Sequence, residues 1–351
     1  MKLSSAAFAK LEQKLNRYCA ENKIFGVLRV TEKDEILLNM SFGYANIENK
    51  TEFADSSMFT LYSLSKPFCT LGFLKLCDKG LASVDAHPSE YIPEAKNFDS
   101  RVTFRHALHH VSGLPDFEQL TEFNKKYAPG FARKTREHLT LLSDYPQYFA
   151  PGEGAMYANI NMILPALAIE NITGRSYAEY MQKEVFEPLG MSSAVVGDEN
   201  SVIPNRVQGY ELLPDGTPTP IVPSHDWLFG AGDIVAAADD VYCLNRAIKE
   251  RRLISDAAWN MALTPARQNS MGMGCTVSVW HGKTRITHNG GHLGFRTLHV
   301  QLPETDFDII FLSNSGYGEA RGDISEMLHA AFFNSADERE TKIEMDKGYI
   351  K

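Results

Sequence analysis

The sequence predicts an α/β (α+β) fold: an antiparallel sheet flanked by N- and C-terminal helices, with an inserted, mostly helical domain. Three observations predict it. Apolar and polar residues largely alternate over 35–42, short strand-like segments recur between 273 and 313, and the long stretch between these regions has a mostly helical pattern. Sheet segments near both chain ends are most simply joined in one sheet that the two terminal helices cover.

Each element has its own signal in the sequence. The first helix is predicted from an apolar stripe made by Phe8, Leu11, Leu15 and Tyr18. A turn near Lys33-Asp34 makes a hairpin of the strands beside it. Four further strands are expected over residues 273–280, 284–290, 295–302 and 307–313. The last helix places on one face Ile324, Met327, Leu328, Ala331 and Phe332.

The positions of these elements predict two domains. We expect residues 1–62 and 271–351 to form the α/β domain with the antiparallel sheet, because the strand signals fall there. Residues 63–270 are expected to form the mostly helical domain.

The composition excludes several classes of protein. Hydrophobic residues make up 44% and charged residues 23% of the 351, the balance of a soluble globular protein. No apolar run reaches the roughly 18 residues of a membrane helix. With 35 Lys+Arg against 44 Asp+Glu, the formal charge of -9 gives no overall attraction to nucleic acid or anionic lipid. We therefore expect neither nucleic acid nor a membrane as partner, and the sequence leaves the oligomeric state open.

The cysteines and the first residues favour a reducing compartment. The five cysteines are scattered and show no Cys-x-x-Cys spacing, which is typical of reduced thiols rather than a zinc cluster. The first 25 residues have a helical apolar stripe among charges, not the continuous apolar segment of a signal peptide. The predicted location is cytoplasmic.

A serine and a lysine three residues apart form the first candidate for chemistry. Ser63 and Lys66 share one face of a predicted helix, followed by an apolar run to Gly80. The serine hydroxyl can hand its proton to the neighbouring amine if that amine is desolvated. Pro67 is tolerable only if the helix begins close to Ser63, because proline lacks an N–H. The alternative is an ordinary, solvated helix start.

Two further motifs are candidates on weaker grounds. Tyr157 and Asn159 follow a Gly-rich turn, where a phenol can move protons and an amide can bind a substrate carbonyl. The alternative is a buried tyrosine beside a helix-capping asparagine. His288, Gly290 and Gly291 lie where one predicted strand ends, and glycines there let a substrate approach the backbone. The alternative is a Gly-rich hairpin with incidental histidines.

These three motifs, in this order, resemble those of the serine β-lactamase-like hydrolases. That family contains class C β-lactamases, penicillin-binding DD-peptidases, D-aminopeptidases and β-lactamase-like esterases, and its motifs are Ser-x-x-Lys, Tyr-x-Asn and Lys/His-x-Gly. Three other segments are similar to family stretches: 102–115, which contains His-Val-Ser-Gly-Leu-Pro, 186–191, which reads Phe-Glu-Pro-Leu-Gly-Met, and 231–240. The resemblance runs from about residue 40 to 315. It implies a β-lactamase/transpeptidase-like fold with the active site in the cleft between the two domains.

The resemblance also implies roles for the candidate residues. Ser63 is implied as the nucleophile, with Lys66 and Tyr157 as the proton-transfer pair. The N–H groups of Ser63 and Gly291 are implied as the oxyanion hole, in which one donor is typically worth about 3–4 kcal/mol. Neither a cofactor nor a metal is expected, and the histidines at 106, 109 and 110 lie in a stretch that is structural in the family.

The remaining implied residues concern substrate binding. Asn159 is implied to orient the substrate amide or ester, and Gly290 is the small residue of the third motif. His288 stands where many members have lysine, so recognition of a substrate carboxylate is expected to be weaker. Arg296 is an alternative source of that cation. A second departure is Ala231-Gly-Asp233, where Gly-Gly-hydrophobic is common.

The sequence therefore predicts a serine hydrolase that forms an acyl-enzyme with a small-molecule ester, amide or β-lactam-like substrate. An esterase is favoured because of His288 and the absence of a signal peptide. The competing enzyme readings are a D-aminopeptidase or DD-peptidase and a weak class C-like β-lactamase. From another class, the competing readings are a catalytically silent ligand-binding sensor and a scaffold protein.

Overall fold

The structure is a computed structural model, and it describes residues 3–116, 139–140, 142, 145–197, 201–221, 228–316 and 318–333. The strands are β1 Gly26–Glu32, β2 Glu35–Phe42, β3 Phe59–Thr60, β4 Val195–Val196, β5 Tyr210–Leu212, β6 Pro218–Pro220, β7 Ile234–Ala236, β8 Thr276–Trp280, β9 Lys283–His292, β10 Phe295–Leu302 and β11 Phe307–Ser313. The α-helices of the described residues are α1 Ser5–Glu21, α2 Lys66–Asp78, α3 Phe104–Leu108, α4 Ile160–Thr173, α5 Tyr177–Met181, α6 Glu187–Leu189, α7 Ala238–Glu250, α8 Asp256–Leu263 and α9 Ala320–Phe333.

A six-stranded antiparallel sheet joins the two ends of the chain. Its strand order is β2-β1-β11-β10-β9-β8, so that β1 lies between its hairpin partner and β11. Gly26 is opposite Ser313 in that central pairing. The hairpin of β1 and β2 turns at Lys33-Asp34, whose φ angles of 50° and 67° suit the tight turns that match strand twist. The antiparallel sheet predicted from the sequence is confirmed.

The terminal helices cover one face of this sheet. Leu15 of α1 and Leu328 of α9 are both fully buried, in one cluster with strand residues such as Leu28 and Ile309. The apolar stripes that predicted the two helices therefore face the sheet. Because alternate residues of a strand face opposite sides, the neighbouring residue Ile310 belongs to the larger core on the other face.

The larger core contains α2 and most of the intervening helices. Helix α2 is buried over most of its surface and packs against α4, with Phe68 and Leu164 fully buried. Gly72 has no side chain because a Cβ there would lie 2.9 Å from the sulfur of Met181. Residues 63–270 are predicted to be mostly helical, and their described part also contains four short strands. One of these, β7, pairs with both β3 and β4 in a three-stranded sheet beside the start of α2.

Candidate active site

The segment that contains Ser63 connects β3 to α2 and is held on both sides. It forms a 3₁₀ turn over Tyr62–Ser65, and the α-helix begins at Lys66 with proline as its second residue, where no N–H is needed. Tyr62 has a φ of 49°, a sparsely populated conformation for a bulky residue. The Leu61 N–H donates to the Ile234 carbonyl at 2.8 Å, which fixes the residue before this turn.

Lys66 is fully buried, and its amine contacts three oxygens. Nζ donates to Ser63 Oγ at 2.9 Å, to Asn159 Oδ1 at 2.9 Å and to the Ala231 carbonyl at 2.7 Å. A charged ammonium would donate to all three oxygens, whereas a free amine would donate to two of them and accept the hydrogen of the Ser63 hydroxyl, so both forms keep Nζ beside that hydroxyl. The Ala231 carbonyl is a contact that the sequence did not indicate, because only the fold brings residue 231 to this point.

Tyr157 and Asn159 lie on the other side of the lysine, just before α4. Lys66 Nζ is 4.9 Å from the centroid of the Tyr157 ring, within the range of a cation–π contact. Asn159 occupies the N-cap position of α4, yet its side chain makes no capping hydrogen bond and instead accepts from Lys66. Its backbone N–H donates to Asp116 Oδ2 at 2.6 Å. This pair of residues and the Ser-x-x-Lys pair therefore meet around one amine.

The third motif lies inside β9, which extends through both glycines to His292 instead of ending at residue 290. Thr276 pairs with Thr287 at the end of β8, so residues 288–292 extend beyond that pairing. The two-residue turn Leu293-Gly294 joins β9 to β10, so His292 and Phe295 form the hydrogen-bonded pair that closes this hairpin. Hydrogen-bonded and non-hydrogen-bonded pairs alternate along an antiparallel ladder, which makes Gly291 and Arg296 a non-hydrogen-bonded pair. The Gly291 N–H therefore points away from β10, toward the side of β9 on which β8 pairs as far as Thr287.

Gly290 lies against the segment that contains Ser63. A Cβ there would lie 2.0 Å from the Leu61 carbonyl oxygen and 2.4 Å from Thr297 Oγ1. Thr297 Oγ1 donates to that same carbonyl at 2.7 Å, so the strand and the Ser63 turn are joined directly. The glycine is needed for this close approach of two backbones. The sequence suggested room for a substrate, and in the structure that room is occupied by the chain itself.

His288 is buried and uncharged near neutral pH. Burial, followed by the nearby charge of Lys66, lowers the pKa of His288 to about 3. Its Nδ1 is 2.7 Å from the Asn289 carbonyl oxygen, and its ring lies 6.2 Å from that of Tyr157. His288 is therefore no substitute for the positive charge of the lysine found in many family members.

Two arginines lie next to Gly291, one of which the sequence analysis missed. A Cβ on Gly291 would lie 3.2 Å from Nη1 of Arg321 and 3.4 Å from Cδ of Arg296. Arg321 Nη1 donates to the Gly290 carbonyl at 2.7 Å and to Asn289 Oδ1 at 3.2 Å. Arg321 belongs to α9, some 30 residues away in the chain, and only the packing of that helix on the sheet reveals its place.

The three histidines at 106, 109 and 110 have separate structural partners. His106 Nδ1 contacts Thr103, and His109 Nδ1 contacts the Met271 carbonyl at 3.0 Å. Among the described residues, no group of three or more His, Cys, Asp or Glu side chains is arranged to bind a metal ion. Over the same ranges, no helix is both long and apolar enough to cross a bilayer.

Comparison with known proteins identifies the family. A family model described as Beta-lactamase matches residues 8–332. Penicillin-binding protein 4* of Bacillus subtilis (strain 168) is 30% identical over 309 residues, covering 82% of this chain and 68% of that protein. The D-aminopeptidase of Gluconobacter oxydans (strain 621H) is 24% identical over 294 residues, and the match spans 82% of this chain but only 55% of that protein.

A solved structure shows the same fold. The penicillin binding protein from Bacillus halodurans has a TM-score of 0.79 and 23% sequence identity, over 91% of this chain and 100% of that chain. This similarity confirms the β-lactamase/transpeptidase-like fold that the motifs implied. Since the family model matches most of the sequence and the fold agrees, the chain belongs to the β-lactamase family.

Proposed function

We propose that this protein is a serine hydrolase that forms an acyl-enzyme at Ser63 with small esters or amides, esters being favoured. The observation that supports it most is the contact of the buried Lys66 amine with Ser63 Oγ at 2.9 Å. A buried amine held beside a hydroxyl is the arrangement that activates a serine nucleophile in the absence of a histidine base. The family consists of hydrolases that work in this way.

The proposed reaction has two half-steps. Ser63 Oγ attacks the carbonyl carbon of the ester while its proton passes to the pair formed by Lys66, as the free amine, and Tyr157. That proton then goes to the leaving alcohol as the C–O bond breaks. A water molecule attacks the acyl-enzyme in the same way, and the acid is released as the proton returns to Ser63.

The backbone supplies the proposed charge stabilisation. We assign the oxyanion hole to the N–H groups of Ser63 and Gly291, the latter pointing away from β10. Asn159 is held through Oδ1 by Lys66 and through its backbone N–H by Asp116. Its side-chain amide is proposed to orient the substrate ester or amide. Because Gly290 has no side chain, the part of β9 that contains Gly291 can lie close to the segment that contains Ser63.

The preference for esters follows from His288. With its pKa lowered to about 3, this residue offers no positive charge to a substrate carboxylate at neutral pH. Penicillins and cell-wall peptides have such a carboxylate, whereas simple esters do not. An uncharged, buried His288 therefore favours neutral substrates.

A second candidate function is hydrolysis of D-amino-acid amides, peptides or β-lactams. One observation favours it: the guanidinium of Arg321 and the side chain of Arg296 flank Gly291, where a substrate carboxylate would find a cation. The similarity to a penicillin-binding protein and a D-aminopeptidase points the same way. Arg321 is already bonded to two oxygens of β9, which weakens this candidate.

A fluorophosphonate probe and a substrate panel test these proposals. We expect the purified protein to gain one probe mass, the Ser63→Ala variant to gain none, and Ser65→Ala to be labelled like wild type. Ser65 is a matched control because it is buried two residues away and binds the Ile234 N–H instead of Lys66. An unlabelled wild type, or an adduct that survives Ser63→Ala, would favour the sensor or scaffold reading.

The panel separates the two substrate classes. It consists of p-nitrophenyl acetate and butyrate, D-alanine p-nitroanilide and nitrocefin. Under the first proposal the esters are turned over fastest, and Arg321→Met leaves their kcat/KM unchanged within about threefold. A preference for nitrocefin that is lost in Arg321→Met would support hydrolysis of β-lactams or peptides, whose carboxylate needs a cation. A preference for the anilide, which has no carboxylate, would support hydrolysis of D-amino-acid amides.

A further inference from the structure

His110, which the sequence analysis regarded as structural, lies directly against the candidate proton-transfer residue Tyr157. Their ring centroids are 4.4 Å apart with an interplanar angle of 18°, so the imidazole is stacked on the phenol. Only 1% of His110 is exposed. The Lys66 amine also lies 4.9 Å from the centroid of the Tyr157 ring. The Tyr157 ring therefore contacts both the His110 imidazole and the Lys66 amine.

The same histidine fixes the backbone on both sides of Tyr157. The Met156 N–H donates to the His110 carbonyl at 2.9 Å, and the Ala158 N–H donates to His110 Nδ1 at 3.2 Å. His110 has a φ of 57°, in the left-handed region where, apart from glycine, asparagine, aspartate and histidine are the enriched residues. His110 thus holds the backbone N–H groups of Met156 and Ala158, on either side of Tyr157, and also stacks on the Tyr157 ring.

These hydrogen bonds require an uncharged imidazole. Nδ1 accepts from the Ala158 N–H, so the ring proton is assigned to Nε2 from this partner. The Asn161 amide nitrogen lies 3.2 Å from the same Nδ1 and is placed as a second donor. Burial, followed by the nearby charge of Lys66, lowers the pKa of His110 well below its usual value. His110 therefore keeps its hydrogen bond to the segment around Tyr157 throughout the neutral pH range.

We propose that His110 is a positioning residue for the proposed reaction: it holds the Tyr157 phenol in register with Lys66, and so acts on Ser63 only through Tyr157. The inference rests on the proposed function. It differs from a general packing role because the effect of changing His110 must then depend on whether the phenol hydroxyl is present.

A double-mutant cycle tests this dependence. The variants are His110→Asn, Tyr157→Phe and their combination, and asparagine is chosen because it tolerates a positive φ. The readouts are kcat and KM for p-nitrophenyl butyrate and the rate of fluorophosphonate labelling of Ser63. We expect His110→Asn to lower kcat about 10- to 100-fold, because misplacing a reacting group by about 1 Å has effects of that order. KM is expected to stay within about threefold.

The combination decides the question. If His110 acts through Tyr157, adding His110→Asn to Tyr157→Phe lowers kcat by less than about threefold, because the group it positions is already absent. An equal fold-loss in both backgrounds would overturn the proposal and leave His110 a packing residue. Should His110→Asn not fold, His110→Phe, which keeps a ring against Tyr157, undergoes the same cycle with the same criterion.

His109 is the matched control. It is the adjacent histidine, also buried, but its Nδ1 contacts the Met271 carbonyl instead of the Tyr157 segment. We expect His109→Asn to lower the melting temperature about as much as His110→Asn while kcat stays within about threefold of wild type. The failures are distinguishable: an unlabelled wild-type protein refutes the proposed function, whereas a labelled protein with an additive cycle refutes only the role of His110.

Discussion

Adding a single methyl group at Gly290 tests how the sheet and the segment that contains Ser63 are joined. In Gly290→Ala the new Cβ would lie 2.0 Å from the Leu61 carbonyl oxygen and 2.4 Å from Thr297 Oγ1. Both atoms belong to the hydrogen bond that ties β10 to the Ser63 turn. Because one contact is to backbone, a rotamer change cannot relieve it, and the strand and the turn must move apart.

The size of the effect follows from these distances. A carbon–oxygen contact is normally at least about 3.3 Å, so the two segments must separate by about 1.3 Å. Overpacking of this kind costs about 1–3 kcal/mol and the lost hydrogen bond about 1 kcal/mol more. With an unfolding entropy of about 2.1 cal/mol/K per residue over 351 residues, a loss of about 2–4 kcal/mol lowers Tm by about 3–5 °C. A displacement of this size next to Ser63 is expected to slow labelling about 100-fold.

The assay compares Gly290→Ala with Gly291→Ala by thermal unfolding and by the rate of fluorophosphonate labelling. In Gly291→Ala the new Cβ would lie 3.2 and 3.4 Å from side-chain atoms of Arg321 and Arg296, and its 3.7 Å distance to the Phe295 carbonyl oxygen is an ordinary van der Waals contact. That variant is expected to unfold within about 2 °C of wild type, because flexible side chains can give way. A Gly290→Ala protein with wild-type Tm and wild-type labelling would refute the packing argument.

Three further outcomes are expected. Lys66→Met should slow labelling of Ser63 by about 10²–10⁴-fold, measured by mass spectrometry against time, because the base is removed; labelling at the wild-type rate would contradict the assignment of Lys66. Tyr157→Phe should lower kcat for p-nitrophenyl butyrate at least about tenfold with little change in KM, and a change confined to KM would place Tyr157 in binding instead. Burial raises the pKa of Asp308 from 3.8 to about 7, so the stability associated with its neutral form is present below pH 4 and lost as pH rises through 7. Asp308→Asn should therefore raise the free energy of unfolding at pH 8 by up to about 4 kcal/mol and leave it unchanged near pH 4, as urea titrations at the two pH values would show.

The sequence could predict elements whose signals are long or periodic. The stripes of α1 and α9 and the hairpin at Lys33-Asp34 appear where the pattern placed them, because burial of one face imposes a period on the residues. The three-stranded sheet beside α2 could not be predicted in this way. Its strands β3 and β4 are two residues long and β7 is three, too short for an alternation to be visible.

The candidate site shows the same division between local and tertiary signals. Ser63 and Lys66 form a local spacing, and a spacing of three can be recognised in the sequence alone. The Ala231 carbonyl on the lysine, the Arg321 side chain on β9 and the His110 ring on Tyr157 are contacts between segments far apart in the chain. No local pattern encodes them, since they depend on how separate elements pack.

The pairing of β1 with β11 has a consequence for how the protein is made. Strand β11, which pairs with β1, is the last of the described strands to be synthesised. Ser313, at the far end of β11, lies 281 residues after Glu32. At about 5–20 residues per second, a ribosome needs on the order of 15–60 s to cover that distance. During this interval the apolar face of the first hairpin has no sheet to join, so nascent chains of this protein are expected to depend on chaperones more than a protein with mostly local contacts.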